Sequence, residues 1–175
     1  MDDFSASPGE PNAYGLMGGE ANAIAPGKRM LSSMSPTFLE SDEAVVILGT
    51  PGGSRIITMV LHGILAAVNG GNPADWVAAG RWHHQFLPDE ILFEPGALTD
   101  VEQDALRAMG HRLEPAGNTY GNMQLIYWDR TVRDCTGGDL TGAGVSAVSD
   151  RRGIGAAEVL PAPESTNSPT NSKQH

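Results

Sequence analysis

The sequence predicts an α+β fold with a mostly antiparallel sheet, and three observations predict it. Its apolar segments run in the order strands, helices, strands, not in strict strand–helix alternation. Its strand candidates are short apolar runs bounded by turn residues. Its best helix candidate carries apolar residues at helical period on one face.

Residues 1–36 are rich in Gly, Pro, Ser and Asn and read as loop, with one short strand expected around Tyr14–Met17. So long a loop in a compact domain is usually functional or disordered. Residues 38–49 follow, centred on Ala44-Val45-Val46-Ile47-Leu48, which reads as a buried strand closing a hairpin at Ser41-Asp42-Glu43. After Thr50-Pro51-Gly52-Gly53-Ser54, a helix is expected over 55–69, with Ile56, Ile57, Val60, Leu61, Ile64, Leu65 and Val68 as its apolar set. Ser54 is its expected N-cap and Gly70-Gly71 its stop. His62 falls off the apolar stripe and reads as a solvated or hydrogen-bonded histidine. A second helix is expected over 73–79, with Asn72 as cap and Pro73 at its first position. A third spans 99–109, opened by a Thr99/Glu102 capping box and closed by Gly110. Further strands are expected over 90–94, from Leu113, over 122–129 and over 142–148. Residues 1–160 read as one domain and 161–175, nearly all polar, as a disordered tail.

The chain has 175 residues, 40% hydrophobic and 18% charged, as in ordinary globular proteins, and is long enough for a real core. Its 11 basic and 21 acidic residues give a net charge of -10, and the basic ones are scattered. That argues against a nucleic-acid partner or an anionic membrane surface. No apolar run is long enough for a membrane span. No signal peptide is read at Met1, because Asp2 and Asp3 stand where a basic region would. The lone cysteine, Cys135, can form no internal disulfide.

Four clusters carry possible chemistry. Gly52 and Gly53 leave backbone N–H groups uncovered at a helix start, a place for an anion or developing oxyanion, or a plain strand-to-helix turn. It is not a nucleotide P-loop, since Ser54 and Arg55 stand where Lys and Ser or Thr would be. Ser32 and Ser33 can give two hydroxyl hydrogen bonds to a carboxylate, or cap a turn. Asp2 and Asp3 can hold an ammonium group, or be two solvated acids. In Arg81-Trp82-His83-His84-Gln85 the histidines point to opposite faces of extended chain, and no Cys or acid stands at ligand spacing. No metal or cofactor is expected, and a structural turn with packed aromatics is.

Several stretches together resemble the small subunit of the γ-glutamyltransferases, or glutathione hydrolases, of the N-terminal-nucleophile hydrolase superfamily. They are Met1-Asp2-Asp3-Phe4-Ser5, Pro11-Asn12-Ala13-Tyr14-Gly15-Leu16, the run from Pro26 to Thr37, Gly49-Thr50-Pro51-Gly52-Gly53-Ser54-Arg55-Ile56-Ile57, Arg81-Trp82-His83-His84-Gln85 and Ala147-Val148-Ser149-Asp150-Arg151-Arg152-Gly153. They stand in family order with family-like separations over residues 1–158. The resemblance implies part of an αββα sandwich with helices on one face. It implies that Asp3 holds the α-ammonium of a γ-glutamyl substrate, Ser32 and Ser33 its α-carboxylate, and the Gly52 and Gly53 amides the oxyanion. It implies acyl transfer from glutathione or another γ-glutamyl compound, through an N-terminal threonine freed by autocatalytic cleavage, and a large subunit of the same precursor as partner. Family members are commonly periplasmic, secreted or membrane-tethered.

The family's threonine opens a Thr-X-His motif, and no Thr-X-His occurs in this sequence. The resemblance therefore implies a fragment, a mis-assigned start or a truncated gene. The chain by itself is expected to be inactive and, lacking sheet neighbours, poorly stable. Two other readings stand beside it: an amide acylase of the same superfamily, and a non-catalytic remnant that binds γ-glutamyl compounds or a partner subunit. Asp3 with Ser32 and Ser33 argues for the glutamyl head group.

Overall fold

A computed structural model describes residues 3–132 and 144–160. The expected class holds. Strands β1 (Thr37–Glu40), β2 (Ala44–Gly49), β6 (Gln124–Asp129) and β7 (Val145–Ser149) form an antiparallel sheet in the order β1-β2-β6-β7. A second sheet joins β3 (Trp82–His83), β4 (Ile91–Phe93) and β5 (Leu113–Pro115), with β4 and β5 parallel. The helices are α1 (Ile56–Val68), α2 (Pro73–Ala78) and α3 (Asp100–Ala108). Cys135 and the expected tail at 161–175 lie outside the described residues.

Local chemistry explains most boundaries. Ser41 Oγ accepts from the Glu43 and Ala44 amides and closes the β1–β2 hairpin. Asn72 Oδ1 caps α2 through the Ala74 and Asp75 amides, and Thr99 and Glu102 form the capping box of α3. Two expectations fail. The segment around Tyr14–Met17 is no strand: it makes one isolated bridge, Pro11 to Met17, because Asn12 Oδ1 takes the Tyr14 and Leu16 amides and curls the chain. Ser54 does not cap α1, which is entered through a 3-10 turn at Gly53–Arg55. Its hydroxyl instead donates to Gln85 Oε1 at 2.8 Å, so a distant acceptor outcompetes the local amides.

Pleating gives the four-stranded sheet two unlike faces. On one, Val46, Leu48 and Leu125 pack beneath α1 and α2 against Met59, Val60 and Trp76. Each such side chain contributes about 1.5–3 kcal/mol on burial. On the other, Phe38, Ile47, Ile126 and Ala147 stand in register across all four strands, and the next row holds Glu40, Val45, Trp128 and Val145. Phe38 is 69% exposed and Ile126 46%. Helices therefore cover one face of this sheet, and the other presents an apolar surface.

Candidate functional site

The cleft lies where β2 runs into α1. Gly49 ends the strand, Thr50-Pro51 turns the chain, and Gly52 and Gly53 follow at φ +147° and +59°, where only glycine is comfortable. Space forbids side chains as well. A Cβ on Gly52 would stand 2.5 Å from the Met59 methyl, and one on Gly53 would stand 2.4 Å from the Tyr14 ring. Among the described residues no acceptor takes either glycine N–H. The turn is tied to the sheet by Thr50 Oγ1, which accepts from the Asn122 amide at 3.1 Å.

Asp3 and Ser33 reach this turn from the long N-terminal loop. Asn22 ties the Asp3 stretch to Leu31, two residues before Ser33: its Nδ2 donates to the Asp3 carbonyl at 2.5 Å, and its Oδ1 accepts from the Leu31 amide at 3.1 Å. The Ser5 amide also donates to the Asn22 carbonyl. Asp3, Ser33, Gly52 and Gly53 thus line one cleft of about 1170 Å³, with Tyr14 between them. Ser32 does not line it: its exposed Oγ accepts from the Met34 amide at 3.2 Å, the turn-capping alternative. A smaller cavity of about 490 Å³ opens beneath the loop and shares Asp3, Tyr14 and Ser33.

Behind the glycine turn lies a buried ionic cluster. Arg81 Nη2 donates to Asp150 Oδ2 at 2.5 Å, with both side chains 2% exposed or less. Arg152 bridges Asp150 (3.2 Å) and Glu94 (2.7 Å). Two cations thus face two anions, and the carboxylates also accept the Met123, Arg152, Tyr120 and Arg81 amides. Burial pushes the Asp150 carboxyl up, but those of the amides that reach it, with the Arg81 guanidinium, outweigh burial and hold it below the ordinary range. Tyr120 is pushed up to about 12, chiefly by burial and then by Glu94. Apart from Arg152 with Asp150, two positions away, the sequence signals none of these pairings, because the partners stand far apart along the chain.

The histidines divide in role. His83 is buried between Thr58 and Gln85, and His84 pairs with Asp89 at the surface. His62 is neither solvated nor hydrogen-bonded. Both of its ring nitrogens are buried without a partner among the described residues, and its ring lies 4.7 Å from that of Trp82. Burial first, then Arg81 and His83, pushes its pKa down, so it is neutral. Among the described residues no three His, Cys, Asp or Glu side chains converge as metal ligands would.

A family model for γ-glutamyltranspeptidase matches residues 1–160. The chain belongs to the γ-glutamyltranspeptidase family. It is 48% identical to the glutathione hydrolase proenzyme of Escherichia coli over 128 residues, which are 70% of this chain and 22% of that one. It is 45% identical to the glutathione hydrolase proenzyme of Pseudomonas aeruginosa over 152 residues, 85% of this chain and 27% of that one. The chain thus spans about a quarter of the length of these two relatives. Among solved structures it resembles the γ-glutamyltranspeptidase of Pseudomonas nitroreducens complexed with L-DON, at a TM-score of 0.73 and 42% identity, covering 91% of this chain and 78% of that one. The α+β fold with antiparallel strands is therefore that of a γ-glutamyltranspeptidase, an N-terminal-nucleophile hydrolase.

Proposed function

We propose that this chain supplies the substrate-recognition and oxyanion half of a γ-glutamyl acyl-transfer site, and that the attacking nucleophile comes from another segment. The observation that carries the reading is the convergence of Asp3, Ser33, Gly52 and Gly53, from three separate stretches of sequence, on one cleft. Its chemistry suits a γ-glutamyl group. The Asp3 carboxylate pairs with the α-ammonium, and Ser33 donates to the α-carboxylate. The γ-carbonyl then lies against the Gly52 and Gly53 amides. As a nucleophile adds to that carbon, negative charge develops on its oxygen. The two N–H groups stabilise that charge with no reorganisation, an effect for which one donor is commonly worth about 10²–10³ in rate. Ser32 keeps its O–H free, since its oxygen only accepts from the Met34 amide, and joins the carboxylate contact only if its stretch of the loop moves to the cleft.

The second part of the proposal is a subunit partner, the large subunit of a γ-glutamyltransferase. It is supported by the open apolar sheet face and by the proenzyme names of the longer relatives. Without that partner the chain is inactive in this reading.

A chimera tests both parts: the Escherichia coli proenzyme with this chain in place of the stretch it matches. Release of p-nitroaniline from a γ-glutamyl anilide by the chimera, and none by the 175-residue chain, is the expected pattern. In the chimera, Asp3→Ala raises KM by roughly tenfold or more through the lost charge-assisted bond. Gly53→Ala lowers kcat by about a hundredfold, because it displaces both the turn and Tyr14. Turnover by the 175-residue chain alone, or an Asp3→Ala chimera with unaltered KM, would overturn the reading.

A further inference from the structure

The cluster around Gln85 has no place in the chemistry above, yet it touches both the residue that follows the glycine turn, Ser54, and the Tyr14 loop packed on it. Gln85 Oε1 accepts from Ser54 Oγ at 2.8 Å and meets His83 Nε2 at 2.9 Å. Its Nε2 donates to the Tyr14 carbonyl and to the Leu87 carbonyl, the latter at 3.1 Å. Two donors and two acceptor sites are all that a carboxamide has, and all four are used. The amide's orientation is forced, since only NH₂ can face two carbonyl groups. Its oxygen can only accept, so His83 Nε2 must carry the proton, and Nδ1 accepts from the Thr58 hydroxyl. One half-buried side chain thereby joins α1, β3, the 3-10 turn after Gly52 and the Tyr14 loop.

The surroundings fit a residue that sets geometry. Ser54 follows the two glycines directly, and the Tyr14 ring rests where a Gly53 Cβ would be. Gly15, at φ +74°, leaves room for Gln85 Nε2 and Pro88, which a Cβ there would meet at 3.7 Å and 3.2 Å. Phe86 is the one non-glycine residue with positive φ among the described residues, at +74° and 76% exposed. Its amide reaches His84 Nδ1 at 3.4 Å, and such backbone persists where neighbours over-determine it. The Gln85-to-Leu87 bond closes this turn from inside.

We propose that Gln85 is the positioning residue of the Gly52–Gly53 turn, locking the turn and the Tyr14 loop in the relative placement that presents both amides to the cleft. The proposal rests on the oxyanion role given above to those amides. His83 acts through Gln85: as a neutral Nε2–H donor it fills the second lone pair and fixes the carboxamide plane.

Two variants of the full 175-residue chain test this by amide hydrogen exchange. Gln85→Leu removes all four bonds, and exchange over residues 12–18 and 50–58 should rise roughly tenfold while β6 is unaltered. Gln85→Glu keeps the acceptor for Ser54 and His83 but faces carboxylate oxygen to the Tyr14 and Leu87 carbonyls. Residues 12–18 should then loosen while 50–58 keep most of their protection. A ring-nitrogen spectrum should show one Nε2–H tautomer of His83 in the wild type and a mixture in Gln85→Leu. In the chimera, Gln85→Leu should lower kcat about tenfold with KM changed less than about twofold.

Unaltered exchange in both segments would overturn the proposal. So would equal loss of protection in β6, or uniform exchange in the wild type, since a turn not held in the free chain is not set by Gln85. Turnover fails separately: an exchange response beside an inactive chimera sinks the oxyanion reading, and an active chimera without the response sinks only Gln85.

Discussion

At its glycine end the cleft is built on packed and saturated contacts. Gly52 and Gly53 sit against Met59 and Tyr14, Thr50 is tied to Asn122, and behind them Arg81, Glu94, Asp150 and Arg152 fill one another's hydrogen-bonding capacity out of water. At its other end, Asp3 and Ser33 hang on a loop with almost no buried side chain, in which Asn22 makes the main tie. The difference follows from what each end is proposed to do. Stabilising charge that develops only during reaction requires dipoles that do not move. Gripping a charged head group requires charge and reach, and tolerates a segment that yields as the substrate enters. The core supplies the first and the loop the second.

The sharpest way to break this contrast is at the ionic cluster. Asp150→Ala leaves the Arg81 guanidinium buried and uncompensated, and it strips the Met123 and Arg152 amides of their acceptor. Loss of one partner from such a buried pair costs about 3–5 kcal/mol. Denaturant unfolding should show that loss, and the Gly52–Gly53 turn should lose order with the sheet. A cost below about 1 kcal/mol would mean that the cluster is not what holds the glycine end.

Asn22→Ala tests the opposite end with a smaller effect. It removes three side-chain bonds, to the Asp3 carbonyl, Ser5 Oγ and the Leu31 amide, and water that enters the loop replaces most of the roughly 0.5–1.5 kcal/mol that each is worth. Stability should fall by about 1 kcal/mol or less, while in the chimera KM rises and kcat stays near wild type. A drop in kcat with unaltered KM would show that the two ends are not separable.

The same contrast governs what could be read without coordinates. The β1–β2 hairpin, α1, the Asn72 cap and the Thr99 capping box rest on neighbours within a few residues, and their patterns are explicit in the chain. Gly52 and Gly53 are legible for that reason, as a glycine pair between a strand and a helix. Ser54 has the local signature of a cap, but its acceptor, Gln85, stands 31 residues away. Asn22, and the joining of Arg81 to Asp150 across 69 positions, left no local trace. Trp82–His83 is too short a strand to carry a periodicity, and the Tyr14–Met17 segment yielded to the Asn12 side chain. Short-range rules thus found the elements and half of the cleft, while the contacts that orient it are long-range and polar.

The smallest expected effect is a pH dependence, and it sharpens the comparison because none of its groups lies on the N-terminal loop. Burial is the main cause that pushes His62 and His83 below their ordinary value of 6.5. For His83 the Gln85 bond offsets part of that. The unfolded chain therefore binds more protons than the folded one just below pH 6.5, so stability is full above that value. It falls as pH drops from 6.5 through the two depressed folded values. A second loss comes from carboxyls: Glu102, held below its ordinary 4.5 by the Thr99 bonds, begins it, and Asp129 and Asp150, held below 3.8, add to it as pH falls further. Unfolding measured from pH 8 to 3 should show two separate declines. His62→Leu should shrink the first, since an apolar ring-sized replacement removes the buried nitrogens that must otherwise take up a proton. Asn22→Ala should leave the first decline in place, because no histidine bonds to that loop among the described residues. A first decline that vanished with Asn22 would assign the titration to the loop and erase the distinction between the two ends.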